Sequence, residues 1–277
     1  MAVHPSPRPA VSRLIVTGAA GGIGTLLAGR LDHLADEIVR SDLADVDCTG
    51  NERSQTADLR DLDQVRALLK GGGDVLHFGG QSVEANFERI NQMNLIGTYN
   101  LFEAARLEGV RRVLFASSNH AISFHTRETT IDAFAPTRPD SLYGVSKVYG
   151  EALASFYHDK FGIEALSLRI GTCIEAPKDE RHLATWMSPD DMIRLIERFV
   201  RAPRLGHAIV YGASANHEDW WDNSRTGYLG WVPQETSEPF RDRVLPDERP
   251  DPEDPAVKYQ GGVFCAYEHP GSTEDDA

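Results

Sequence analysis

The chain has 277 residues, 41% hydrophobic and 25% charged, which suits one large α/β domain or a main domain with a small lobe. Its 42 acidic residues against 28 Lys and Arg leave a net charge of −14, which argues against nucleic acid or an acidic membrane surface as a partner. Cys48, Cys173 and Cys265 are too few and too scattered for a disulfide framework or a metal site.

Residues 1–12 are Pro-rich, lack the apolar core of a signal peptide and are expected to be flexible. No apolar run approaches the roughly 20 residues that cross a bilayer, so a cytoplasmic protein is expected. Leu14 to Thr17 is a short β-branched run that stops at Gly18 and reads as a buried strand. A helix from near Gly22 carries Ile23, Leu26, Leu27 and Leu31 at helical spacing. Glu37 to Ser41 predicts a second strand closing at Asp42, and a third short strand precedes Asp58 and Leu59. Asp74 to Phe78 is another, ending in Gly79 and Gly80. A long helix is predicted from about Asn86 to Glu108, a strand over Arg112 to Ala116, a helix over Leu142 to Phe161, and an extended run from Glu164 to Arg169. This alternation predicts an α/β fold with a Rossmann-type, doubly wound parallel sheet.

Past about residue 172 the alternation loosens. Ser188 and Pro189 form a cap and first-turn pair for a helix running to Val200, and His207 to Tyr211 reads as one more strand. Trp220 and Trp221 follow, as lid packing or as a sugar-stacking platform. Pro246 to Pro255 is expected to be an extended acidic surface arm, and residues 268–277 a disordered tail. The division expected is a doubly wound core over 13–171. A small C-terminal substrate lobe or lid over 172–267 shares the sheet strand near 207–211.

Gly18, Gly21, Gly22, Ile23 and Gly24 form a Gly-rich turn between the first strand and the first helix. Such a turn lets backbone N–H groups approach a pyrophosphate. Asp42 lies 18 residues past Gly24, where a carboxylate accepts from the ribose hydroxyls and repels a 2′-phosphate, so NAD is expected rather than NADP. Arg40 lies close by, on the strand face opposite Ser41. Asp58 and Leu59 are candidates to clamp the adenine, although Asp58 would equally suit a solvent-facing turn.

Tyr143 and Lys147 sit one helical turn apart, behind Ser117 and Ser118 at a strand end. A free phenol has a pKa of about 10, too high for a base at neutral pH. Lys147 and a cationic nicotinamide nearby would favour the phenolate. Tyr143 could then take a proton from a substrate hydroxyl as hydride leaves its carbon. Ser118 would hydrogen-bond the reacting oxygen.

The G-x-x-G-x-x-G turn followed by Y-x-x-x-K resembles the short-chain dehydrogenase/reductase superfamily. Ser118 and Asn94 in Asn94-Leu-Ile-Gly-Thr98 resemble its extended branch, whose helical Asn would hold Lys147 through water. The segments Gly79-Gly-Gln-Ser82-Val-Glu84, Ala116-Ser-Ser-Asn119-His120 and Arg169-Ile-Gly-Thr-Cys173 are similar to uronate dehydrogenases. So are Tyr211-Gly-Ala-Ser-Ala-Asn216, Trp220-Trp-Asp-Asn-Ser224 and Tyr259-Gln-Gly-Gly-Val-Phe264.

This resemblance implies oxidation of the C1 hydroxyl of a cyclic uronic acid, galacturonate or glucuronate, to the aldarolactone. It places Gly79 at the cofactor, and Ser82, Ser118, Asn119, His120, Thr172 and Arg181 at the substrate. Arg181 matches the carboxylate-binding position, where a guanidinium can make two parallel hydrogen bonds. On the residues alone it would be a solvated Arg in a charged run. Thr172 stands where the family is expected to have Ser, and its added methyl group could crowd the pocket. His120 is read as a donor or a supporting residue, since Tyr143 is the base. The resemblance also implies at least a dimer, paired through the helices from Asn86 and Leu142. Rival readings are a dehydrogenase of aldoses or hexose 6-phosphates, a nucleotide-sugar epimerase or dehydratase, and a non-enzymatic dinucleotide sensor.

Overall fold

A computed structural model describes residues 10–246, 248 and 250–267. Seven strands form one all-parallel sheet: β1 (Val11–Thr17), β2 (Ala35–Ser41), β3 (Glu52–Ser54), β4 (Asp74–His77), β5 (Arg112–Ser118), β6 (Glu164–Ile170) and β7 (His207–Gly212). Their order is β7-β6-β5-β4-β1-β2-β3. β1 pairs with β2 through Thr17 and Ser41, and with β4 through Thr17 and His77. The winding therefore reverses between β1 and β4, and a crevice opens beyond the carboxyl ends of the strands there.

Both faces of the sheet are covered, which is why its strands read as continuous apolar runs. Leu14, Val16, Leu114, Leu166 and Leu168 face one layer, where Leu195, Ile196 and Phe199 of α7 (Pro189–Arg201) pack. Their neighbours Ile15, Val113, Phe115 and Ala165 face the other. There they meet α2 (Leu62–Leu69), α4 (Gly97–Leu107) and α5 (Leu142–Phe161) through Leu68, Phe102 and Tyr157. This two-residue alternation follows from the pleat.

The structure departs from the sequence reading at several points. Val11 and Ser12 belong to β1 and are not part of a flexible N-terminus; residues 1–9 and the 268–277 tail lie outside the described residues. The first helix, α1 (Gly22–Leu26), has only five residues. Gly22 and Gly24 inside it weaken it, and the chain continues as turns that still bury Leu27 and Leu31. The helix expected over Asn86 to Glu108 has three parts: α3 (Phe87–Ile90), a π-helical turn over Asn91–Ile96, and α4. One residue of slippage barely disturbs apolar periodicity, so the π turn is invisible in the sequence. The first described residues of the acidic arm are exposed, but it ends in a short helix, Pro255–Lys258, capped by Asp254. Asp247 and Arg249 of that arm are not described.

After β6 the chain forms a two-residue strand pair, Thr172–Cys173 with Trp186–Met187, around the short α6 (His182–Thr185). It then enters α7 and returns as β7, the sheet edge. Trp221–Asp222 pairs with Ile131–Asp132. The last described segment crosses back over residues 123–129 through Gly261 N to Ser123 O (3.1 Å) and Gln260 N to His125 O (2.9 Å). No helix among the described residues is long and apolar enough to cross a membrane.

Candidate active site

A cleft of about 750 Å³ opens over the carboxyl ends of the strands. It is large enough for a dinucleotide portion and a small sugar. Gly18, Gly21, Gly22, Ile23 and Gly24 line it, with Asp42, Asp58, Leu59 and Gly79, and so do Ser118, Tyr143 and Lys147.

The Gly-rich turn is sterically obligatory at two positions. Gly18 has φ +74°, and a Cβ there would lie 2.6 Å from Gly79 N; a Cβ on Gly24 would lie 2.3 Å from Gly18 O. Asp42 fastens the turn to β2 by accepting from Ala20 N (2.9 Å) and from Leu43 N (2.8 Å). Arg40 does not reach the cleft. It is buried, donates to Asp47 O (2.7 Å), Ala19 O (3.0 Å) and Gly24 O (3.1 Å), and faces Glu52 at 3.6 Å.

Of the cleft-lining residues only Arg89 and Lys147 are Lys or Arg. Arg89 Nε is engaged by Gln81 Oε1 (2.7 Å), and Lys147 lies beside Tyr143. A carboxylate that makes no salt bridge among the described residues, next to a glycine cradle, fits the adenosine ribose of NAD and disfavours a 2′-phosphate. The Asp58 carboxylate is held by its own neighbour: Arg60 donates to it from N, Nε and Nη2, at 2.6–3.0 Å. That pairing, with the backbone bond, holds its pKa below the ordinary carboxylate value.

Around Tyr143, the α5 N-cap Ser141 receives Gly144 N (3.0 Å). Glu84, from the loop after β4, accepts from Leu142 N (3.1 Å) and Tyr143 N (2.8 Å). Lys147 Nζ stands 5.2 Å from the Tyr143 ring centroid and 5.3 Å from that of Phe115. Burial pushes the Tyr143 phenol up to about 12, against which the Ser118 hydroxyl works, while the Asp140 charge adds to the rise. Burial likewise pushes Lys147 down to about 8. The expected lowering of the phenol by Lys147 is therefore not produced by these side chains on their own.

Asn94 makes three direct hydrogen bonds. Its amide spans the backbone of Gln81, accepting from N (2.7 Å) and donating to O (3.0 Å), and also donates to Ser146 Oγ (2.9 Å). Ser146 in turn donates to Tyr143 O (2.6 Å). Asn94 thus ties the β4 loop to α5 beside Lys147, and the π turn carries it there.

Ser82, His120 and Thr172 line the cleft. Thr172 Oγ1 lies 3.2 Å from Thr185 Oγ1, so its hydroxyl is shared with α6. Arg181 and Asn119 sit behind that wall. With the Asn119 amide turned so that its nitrogen donates to Ile170 O (3.1 Å), its oxygen accepts from Arg181 Nη2 (2.5 Å). Arg181 Nε donates to Gln260 O (2.7 Å). Burial, then the Arg127 charge, brings Arg181 down to about 10, still cationic at neutral pH. Its spare donors are on the two terminal nitrogens.

Trp220 and Trp221 are both buried. Trp221 stacks on Tyr211 at 5.4 Å and donates to Gln260 Oε1 (2.9 Å), and Arg127 lies over Trp220. They pack the lid. Glu84, Asp140 and Gln260 were not singled out by the sequence reading: the contacts that bring them to the site reach from 20 residues, Asp140 to His120, to 134, Gln260 to Thr126. Glu84 and Gln260 do fall inside segments quoted for the family resemblance.

Comparison with known proteins fits this arrangement. Residues 14–220 match the model of the NAD dependent epimerase/dehydratase family. A uronate dehydrogenase of Pseudomonas putida is 47% identical over 256 residues, spanning 92% of this chain and 96% of that protein. The crystal structure of a glucuronic acid dehydrogenase from Chromohalobacter salexigens is 50% identical, with a TM-score of 0.91 over 96% of this chain and 99% of that one. That of a uronate dehydrogenase from Agrobacterium tumefaciens, a tyrosine-to-alanine mutant complexed with NAD, is 45% identical, with a TM-score of 0.90 over 95% of this chain and all of that one. The chain belongs to the NAD-dependent epimerase/dehydratase family and, within it, to the uronate dehydrogenases.

Proposed function

We propose that this NAD-dependent oxidoreductase oxidises the C1 hydroxyl of a cyclic uronic acid, galacturonate or glucuronate, to the aldarolactone. The observation that carries the reading is the convergence of Ser118, Tyr143, Lys147 and His120 in one cleft with the glycine cradle and Asp42. NAD, when bound, accepts the hydride from C1 and brings a positive ring beside the phenol. Gly18, Gly21, Gly22, Ile23 and Gly24 would hold its pyrophosphate, Asp42 its ribose, Gly79 the middle of the cleft, and Asp58 and Leu59 the adenine end.

Tyr143 takes the proton of the C1 hydroxyl as the C1–H bond breaks, so C1 becomes a carbonyl and no charge is left there. The high pKa set by burial keeps Tyr143 protonated at neutral pH, and so unable to accept a proton, until a cation faces it. Lys147, lowered towards neutrality, can pass that proton outward. Ser118 donates to or accepts from the reacting oxygen. Asn94 keeps Gln81 and Ser146 in register, so the β4 loop with Ser82 stays against α5. Ser82, Asn119, His120 and Thr172 would meet sugar hydroxyls, and Arg181 the C6 carboxylate through its terminal nitrogens. Residues 172–267 would act as the substrate lobe on the 13–171 core, in a cytoplasmic enzyme.

Substitution Arg181→Ala tests the carboxylate assignment. Losing a charge-assisted hydrogen bond is expected to raise the KM for uronate about 10- to 100-fold with little change in the KM for NAD. An equal effect on both would remove that role.

We also propose at least a dimer, paired through α4 and α5. The exposed side chains Tyr99, Leu107, Phe156 and Phe161 belong to these two helices, and the helices meet where Arg106 lies over the Phe161 ring.

A further inference from the structure

We propose that Asp140 is a positioning residue that fixes the His120 proton on Nδ1, so that Nε2 offers the cleft a lone pair and accepts a hydrogen bond from a sugar hydroxyl. The inference deepens the uronate reading and rests on it for the identity of the substrate. It assigns His120 the opposite polarity from the donor suggested by the sequence.

The geometry carries the argument. His120 Nδ1 lies 2.7 Å from Asp140 Oδ2, and the Asp140 side chain is fully buried. The other carboxylate oxygen, Oδ1, receives the Ser141 hydroxyl (2.8 Å). Ser141 is the cap of α5, so the carboxylate is anchored to the helix that bears Tyr143. Ser123 Oγ also approaches Nδ1, at 3.4 Å, but its proton is directed to Asn119 O (3.0 Å). A carboxylate only accepts, and the nearby hydroxyl spends its donor elsewhere, so the proton between His120 and Asp140 belongs to Nδ1.

The ring has little freedom to turn. Phe264 lies 4.1 Å from its centroid and Tyr143 meets it edge-on at 5.7 Å. Gly261 closes the carboxylate from the far side: a Cβ there would sit 2.4 Å from Asp140 Oδ2. Nε2 has no protein hydrogen bond among the described residues, while His120 lines the cleft. Asp140 also feels the charge of Arg181. A neutral ring protonated at Nδ1 can only accept at Nε2.

The test is the 15N spectrum of histidine-labelled enzyme at neutral pH, with the His120 signals identified by their loss in His120→Gln. A protonated-type Nδ1 and an unprotonated-type Nε2 are expected in the wild type. Asp140→Ala is expected to release His120 into exchange between tautomers. It should lower kcat/KM for uronate about 10- to 100-fold and leave NAD affinity unchanged. A wild-type Nε2 that carries a proton overturns the proposal, as does an Asp140→Ala variant with the wild-type pattern and kcat/KM. Should that variant fail to fold, the wild-type spectrum still decides. The expected spectrum in an enzyme inactive on every uronate would support the proton placement and overturn the substrate reading instead.

Discussion

Tyr143 faces two opposing influences. Its burial disfavours the phenolate, while its position, a turn from Lys147 and beside Ser118, is what a proton acceptor requires. Tyr143→Phe keeps the ring packed and removes the acceptor. Turnover is expected to fall by about 10²- to 10⁴-fold while NAD still binds, as read by cofactor fluorescence. Survival of activity would rule out the proton-transfer role. His77 gives a second test at this scale. It is buried behind the cleft on Thr17 Oγ1 (2.7 Å), and burial, with Lys147 nearby, depresses its pKa from the ordinary 6.5 to about 3. A depressed value means that the unfolded chain takes up a proton before the native state does. The stability it supports is therefore complete above about pH 6.5 and is lost as pH falls towards 3. In His77→Gln the fall in unfolding free energy with acid should be shallower by up to about 1.4 kcal/mol per pH unit, measured by urea denaturation. The catalytic and cofactor candidates were legible because each lies in a short local pattern. Asp140 and Glu84 took no role from the sequence because their tasks exist only once distant segments meet.

At the scale of elements, the Gly-rich turn and α1 act as one unit because nothing larger than hydrogen fits at Gly24. Gly24→Ala is expected to cost about 1–3 kcal/mol of stability through overpacking and to weaken NAD binding more than uronate binding. A second element-level contact lies under the active site. Arg169 of β6 makes a bidentate pair with Glu151 of α5, both bonds 2.8 Å, and Ser117 of β5 donates to the same carboxylate (2.6 Å). The group is buried, so Glu151→Ala would leave a guanidinium without its partner, at about 3–5 kcal/mol, read as a lower urea midpoint. Strand positions were legible because parallel strands covered on both faces are uninterrupted apolar runs between glycines. The short α1 and the π turn were not, since side-chain periodicity reports which residues face the core and is nearly blind to a helix that stops early or gains one residue per turn.

For the whole molecule, the parallel sheet brings the glycine cradle and the phenol into one crevice, and the segment after β6 folds over it. The last described residues return to it: Gln260 holds Arg181 through its carbonyl and Trp221 through its side chain. That closure, over 79 residues to Arg181 and 39 to Trp221, could be inferred from the sequence only through family likeness, because no local pattern announces it. Sedimentation is expected to give at least twice the chain mass of 30.6 kDa, and Phe156→Asp to weaken that association; a wild-type monomer at micromolar concentration would contradict pairing through α4 and α5. The most direct test of the central claim is reduced-cofactor formation by the purified protein. The panel holds galacturonate, glucuronate, galactose, glucose and glucose 6-phosphate, each with NAD and with NADP. Turnover confined to the two uronates and preferring NAD is the expected result. Turnover on the neutral or phosphorylated sugars with none on the uronates would contradict it.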